Sequence, residues 1–282
     1  MTMSLVTRSL SEYIGSYMAE DDLSRNLYYL STLPGNSVKC HLKLKSRMML
    51  SGIPFFKAVF EYLGFDLSDQ ISDGIEGTIY RDNLPQVFSF EAPFNVALTA
   101  ERLALNLLQR SSSVSTYTHD FVALAKPHNI TILDTRKTLP GLRWLDKYAT
   151  RMAGASNHRF GQTDTWMIKD NHKEIFGGLD EAINYFNSME CFYNNLVVEI
   201  HHLSEFEIAV KRGIRHVMLD NFTPAEVRQA CSQKPEGMTI ELSGGMNLEK
   251  IKGYFIEGVD CISVGGLTSD FPRQDISLKF QR

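Results

Sequence analysis

Residues 130–173 read ITILDTRKTLPGLRWLDKYATRMAGASNHRFGQTDTWMIKDNHK. A short β-prone apolar run, 130–133, stops at Asp134 and Thr135 and is followed at once by Arg136 and Lys137. A second run, 166–168, ends on Lys169, with Asp170, Asn171 and His172 behind it. Between them His158 and Arg159 sit in a small-residue loop, after Ala153-Gly154-Ala155 and before Gly161. Cations placed just past strand ends suit an anion carrying more than one negative group. On an ordinary surface the same residues are solvated charges, so the decision rests on whether the pattern repeats.

It repeats. Apolar runs at 196–200, 216–219, 238–242 and 261–264 alternate with amphipathic helical segments, the pattern of a parallel β/α architecture. Thr223 can cap one helix, with Pro224 at its first position and Glu226 three residues after the cap. Helices over 203–212 and 247–256 are expected to stop at Gly213 and Gly258. Units of roughly 20–35 residues suit a β/α barrel, whose active site lies at the C-terminal strand ends. Those ends carry, in turn, Arg136 and Lys137, Lys169, Glu199, Asp220, Ser243 and Gly265. Glu199 interrupts an apolar strand, which is costly unless its carboxylate faces a cation or a metal. Asp220 reads equally as a helix cap beside Asn221. As a pair on consecutive strand ends, the two acids suit Mg2+ or a ribose. Ser243-Gly244-Gly245 and Gly265-Gly266 form a candidate phosphate cradle, with a helix from about Asn247 lending its N-terminal dipole. His158, beside Arg159, reads as an anion donor. No Ser-His-Asp or Cys-His arrangement stands out, so the implied chemistry is positioning and electrostatic stabilisation.

Upstream the chain is of a different kind. Residues 5–33 read as helical up to Pro34-Gly35, and 38–52 alternate like a half-buried strand. A helix is expected over 53–64, then strands around 71–80 and 86–91. From Pro93 a long helix carries Val96, Leu98, Ala100, Leu103, Leu107 and Leu108 on its apolar face, with Arg102 inside the segment AERLALNLLQR. The character changes beyond Ser111. The expected class is therefore α/β, with an N-terminal α+β sandwich over 1–110 and an incomplete parallel α/β barrel over 111–269.

Composition sets the outer limits. The 282 residues are 43% hydrophobic and 22% charged, with a formal net charge of −4, an ordinary globular profile and not that of a general nucleic-acid binder. Cys40, Cys191, Cys231 and Cys261 form no C-x-x-C pair, which suggests reduced thiols in a cytoplasm. No apolar run approaches the roughly 20 residues of a membrane span.

The motifs resemble the quinolinate phosphoribosyltransferase family. The matching segments are AERLALNLLQR, ILDTRKTLPGLR, NHRFGQTD followed by MIKDNH, VVEIHHL, VMLDNF, ELSGGMN, and GVDCISVGGLT with DISLKF, plus a weaker match in SRMMLSGIP. The resemblance implies an N-terminal sandwich completed by residues 270–282, packed on a barrel of the type II phosphoribosyltransferase kind. It implies transfer of a phosphoribosyl group from phosphoribosyl pyrophosphate to quinolinate, with Mg2+, giving nicotinate mononucleotide, pyrophosphate and CO2. By position, Arg136, His158, Arg159 and Lys169 match residues that hold the quinolinate carboxylates. Lys137 matches the lysine facing the phosphoribosyl substrate, and Glu199 and Asp220 the acids near ribose and metal. Ser243, Gly244, Gly245 and Gly265 match the 5′-phosphate loop. Lys137, Lys169, Glu199 and Asp220 are the implied catalytic groups. Arg102 matches an arginine lent to the neighbouring subunit, which implies a homodimer. The sequence departs from the family at Ala153 and Ala155, at Gln162, at Val197 and His201 where acids are common, at Ser269, and around 24–27, where a G-D-x-T motif is missing. Two other readings stay open: a pyrophosphorylase-like relative associated with molybdate transport, and a catalytically silent sensor of a phosphorylated ligand.

Overall fold

The computed structural model describes residues 2–21, 27–81, 85–189 and 195–281; positions 24–26 of the region of the missing motif and Cys191 lie outside them. Two compact units are formed, Met1–Thr116 with Pro272–Arg282, and Tyr117–Phe271. The sequence placed the division at 110/111, but α4 (Phe94–Ala125) runs through that point unbroken. Its serine-rich turn stays helical because the hydroxyls find partners. Ser113 and Thr116 donate to the carbonyls of Gln109 and Ser112, each at 2.6 Å, and Ser111 Oγ bonds Ser51 Oγ at 2.8 Å.

In the first unit, α1 (Thr2–Met18) and α2 (Leu27–Thr32) precede β1 (Ser37–Leu44), β2 (Met48–Met49), α3 (Ile53–Tyr62), β3 (Ile79–Tyr80) and β4 (Gln86–Pro93). β1 buries alternate residues Val38, Cys40, Leu42 and Leu44, the period of a sheet with one face on a core. It lies between β4 and the chain's last strand, Ile276–Gln281, antiparallel to both. On the core side, Phe56 and Phe60 of α3 meet Phe90 of β4 edge-on, with ring centroids 6.0 and 5.5 Å apart. The strand expected around 71–80 is confined to Ile79–Tyr80. Ser72-Asp73-Gly74 starts a 3-10 turn instead, with Ser72 Oγ accepting the Gly74 N–H at 3.1 Å.

The second unit contains β5 (Thr131–Leu133), α5 (Arg143–Met152), β6 (Trp166–Ile168), α6 (Asp170–Phe176), α7 (Leu179–Ser188), β7 (Leu196–Ile200), α8 (Leu203–Lys211), β8 (His216–Asp220), α9 (Pro224–Ser232), β9 (Thr239–Ser243) and β10 (Cys261–Ser263). The six strands form one parallel sheet in the order β5-β10-β9-β8-β7-β6. β10 closes onto β5, while between β5 and β6 the described residues supply only the bridge Leu133–Ser156. The barrel is thus incomplete, as expected. Val198, Ile200, Val217, Leu219, Ile240 and Leu242 join the main core with helix residues such as Phe206 and Val227. The alternate residues Met167, Val197 and Met218 form a small inner cluster. Glu199 and Glu241 both pair with Met218 in register and share its inward parity. The expected helix over 247–256 is only a 3-10 segment, Lys250–Tyr254. Asn247 Oδ1 accepts the N–H groups of Glu249 and Lys250, and Gly253 weakens any longer helix.

Candidate active site

The strand ends of the second unit surround a cavity of about 740 Å³. Every site residue expected from the sequence lines it except Arg102: Arg136, Lys137, His158, Arg159, Lys169, Glu199, Asp220, Ser243, Gly244, Gly245 and Gly265. Arg102 is exposed on α4 in the first unit.

Asp134 follows β5 directly and is fully buried. Its carboxylate accepts from Lys147 Nζ at 2.5 Å, Thr150 Oγ1 at 3.1 Å, Asn157 Nδ2 at 2.5 Å and the His158 N–H at 2.8 Å. Lys147, 2% exposed, also donates to the His158 carbonyl at 2.9 Å. A buried ion pair survives when its remaining bonds are satisfied, and here those bonds clamp the backbone of His158. Arg159 follows on that loop, donating to the carbonyls of Gln162 and Thr165 at 3.0 and 2.9 Å. Burial and then the like charge of Arg136 lower the Arg159 pKa, with Asp164 and Glu199 acting in the opposite direction. Two guanidiniums that repel each other in a partly desolvated cleft favour an anion between them.

His158 lines the cavity, and its ring also has partners within the chain. Its Nδ1 accepts the Arg159 N–H at 2.7 Å, and Nε2 lies 3.3 Å from Glu241 Oε2. Nδ1 is thus taken up by the backbone, while Nε2 faces the Glu241 carboxylate within ion-pair range.

On the opposite side Lys169 Nζ is ion-paired with Glu199. Glu199 Oε1 and Asp220 Oδ2 lie 3.6 and 3.7 Å from His201 Nε2. Glu199, His201 and Asp220 therefore make a compact group with the geometry of a possible metal site. The environment of His201 argues against the imidazole as a ligand. Lys173 Nζ is 2.9 Å from Nδ1 and also donates to Glu205 Oε1 at 2.8 Å. An ammonium donating to Nδ1 leaves the proton on Nε2, whereas a metal-bound imidazole needs an acceptor at its far nitrogen. Two carboxylates remain, a donor set that suits Mg2+ shared with ligand phosphates. Burial works to raise the Glu205 pKa, but the His201 N–H and the Lys173 ammonium outweigh it and hold the group below its usual value. Asn221, in the left-handed region at φ 58°, turns the chain after β8 and donates to Asp220 Oδ2 at 2.8 Å.

The glycine cradle is enforced by space. A Cβ on Gly244, at φ +113°, would lie 2.3 Å from Asn221 Oδ1, and one on Gly265 would lie 2.9 Å from Lys137 Cδ. Thr268 Oγ1 donates to the Lys137 carbonyl at 2.7 Å and fixes the start of that side chain. The sequence reading passed over Asp134, Lys147, Glu241 and the Lys173–Glu205 pair. Glu241 carried the signal used for Glu199, an acid inside an apolar strand, whereas Lys147 looked like any helix lysine.

Strand-end cations, paired acids and a glycine cradle at the mouth of a parallel β/α barrel make a site suited to phosphorylated, anionic ligands. Residues 114–279 match the family model of the quinolinate phosphoribosyl transferase C-terminal domain, and residues 26–112 that of its N-terminal domain. The human nicotinate-nucleotide pyrophosphorylase (carboxylating) is 32% identical over 277 residues, 96% of this chain and 91% of its own. The Dictyostelium discoideum protein of the same name is 32% identical over 279 residues, covering 93% of each. The crystal structure of nicotinate-nucleotide pyrophosphorylase from Ehrlichia chaffeensis matches with a TM-score of 0.84 at 28% identity, over 96% of this chain and 98% of that one. The chain belongs to the quinolinate phosphoribosyl transferase family.

Proposed function

We propose that this protein joins quinolinate to phosphoribosyl pyrophosphate with loss of CO2, the pentosyl transfer that supplies nicotinate mononucleotide for NAD synthesis. The name its relatives carry describes this reaction in reverse. The observation that carries the reading is the Arg136–Arg159 pair, two cations that line one cavity and act on each other as like charges. The two carboxylates of quinolinate suit that pair and Lys169, and the 5′-phosphate suits Ser243, Gly244, Gly245 and Gly265. Lys137 is assigned to the phosphoribosyl substrate. In the transfer the C1′–oxygen bond to pyrophosphate breaks and a C1′–nitrogen bond to the pyridine forms. The carboxylate next to that nitrogen then leaves as CO2, and its carbon takes up a proton. The side chains orient both reactants and stabilise charge, and none forms a covalent intermediate.

Glu199 and Asp220 would hold Mg2+, which supplies charge neutralisation at the pyrophosphate when bound. Arg102, exposed on α4, is assigned to the quinolinate pocket of a second copy across a two-fold axis, so the working form is a homodimer. No helix among the described residues is long and apolar enough to cross a membrane. The free thiols of Cys40, Cys231 and Cys261 support a reducing, cytoplasmic setting. The purified protein is expected to form nicotinate mononucleotide from both substrates, and to lose that activity when Mg2+ is chelated. A silent sensor or a molybdate-associated relative would give no such product, and neither is favoured by the human and Dictyostelium relatives, which carry the pyrophosphorylase name.

A further inference from the structure

β9 carries a second acid inside the barrel. Glu241 lies two residues before Ser243, on the same face of the strand as that cavity-lining serine, and is 6% exposed. Its Oε2 is 3.3 Å from His158 Nε2. Its Oε1 is shut away from solvent with no hydrogen-bond partner among the described residues. Its strand neighbours in register are Met218 and Cys261, which offer an ionised oxygen little. A carboxylate placed for folding alone has both oxygens bonded, and one left half-satisfied costs stability. Glu241 therefore has to be explained by what it does to His158.

The imidazole links two partners. His158 Nδ1 accepts the backbone N–H of Arg159 at 2.7 Å, and a nitrogen that accepts carries no proton. In the neutral ring the proton is then on Nε2, the atom that faces Glu241. We propose that Glu241 is a positioning residue that acts through His158 on Arg159. Its carboxylate selects the Nε2–H tautomer, which leaves Nδ1 open to hold the Arg159 backbone. In the other tautomer Nδ1–H and the Arg159 N–H would be two donors facing each other at 2.7 Å, and the arginine would have to move. Asp134 and Lys147 hold the N–H and carbonyl of His158 but leave its ring free to choose. Glu241 makes that choice.

The kinetic arm of the test rests on the quinolinate reading, and the spectroscopic arm does not. Histidine ring nitrogens would be observed by 15N NMR in the ligand-free protein, with His158 assigned by its loss in His158→Asn. An unprotonated Nδ1 and a protonated Nε2 are expected in the wild type and in Glu241→Gln, whose carboxamide oxygen still accepts, but not in Glu241→Met. Glu241→Met should melt no lower than the wild type. Its KM for quinolinate should rise roughly ten- to a hundredfold, the scale of one lost interaction with a charged group, with the KM for phosphoribosyl pyrophosphate unchanged and Glu241→Gln close to normal. A protonated Nδ1 in the wild type would overturn the proposal. So would a normal quinolinate KM in Glu241→Met, or a parallel loss of stability and of both substrates. If the wild type forms no nicotinate mononucleotide, the functional reading fails while the tautomer still decides the role of Glu241.

Discussion

Arg136 and Arg159 do the same work from different supports. Arg136 stands exposed at the end of β5, whereas Arg159 hangs on a loop fixed from below by the Asp134–Lys147 pair. Truncating either should leave one carboxylate of the substrate unpaired, at a cost of about 2–5 kcal/mol in quinolinate use. Arg136→Ala and Arg159→Ala are each expected to cut kcat/KM for quinolinate by roughly thirty- to several thousandfold while the thermal midpoint stays near that of the wild type. Steady-state kinetics beside a melting curve check this, and normal kinetics in either variant would remove that arginine from the pocket. At this scale the strand-end cations and acids were legible because a charge at the end of an apolar run is conspicuous. The layer beneath was not. Lys147 and Asp134 are ordinary in sequence, and only the fold shows that they are sealed in together, 2% and 0% exposed.

Among elements, the six parallel strands were readable as apolar runs within a residue or two. Thr223 and Glu226 form the reciprocal cap expected of them, with the Thr223 N–H bonded to Glu226 Oε2 at 2.8 Å. The failures have local causes: serine hydroxyls that bond back along α4, and an Asx-type turn at Asn247 that takes over the start of a helix. Glu205 shows how elements are tied. From α8 it accepts the His201 N–H just past β7, and it accepts from Lys173 of α6. Because the folded-state pKa is lowered, this stabilisation is full above the unfolded value near 4.5 and is lost as the pH falls through the lower folded value. Glu205→Gln should therefore be less stable than the wild type between pH 7 and about 5, and the gap should narrow below about pH 4.5. Denaturant melts across that range read it directly; a gap that persists in acid would mean that packing, not charge, is responsible.

Over the whole molecule, the change of periodicity beyond Ser111 falls inside α4, close to where the first compact unit ends at Thr116. A helix that crosses from one unit to the other leaves no break in its apolar pattern. Arg102 belongs to this scale, since its assigned partner is a second copy. Arg102→Ala and Lys169→Ala homodimers should each be nearly inactive, and co-expressed dimers should regain roughly a quarter of wild-type site activity, because half are mixed and each mixed dimer has one intact pocket. Purified mixed dimers as inactive as their parents would confine Arg102 to its own subunit. The way the first sheet is assembled has a consequence for how the protein is made. β1 lies between β4 and Ile276–Gln281, with Lys39 opposite Gln281. A ribosome releases the entire barrel segment before it releases that last partner. Throughout this interval one flank of β1 is a row of unpaired amides and carbonyls, an invitation to pair with the wrong chain. The nascent protein thus carries this open strand edge until its end is made, and His41 and Lys43, set along that strand, place polar and charged side chains there during the delay.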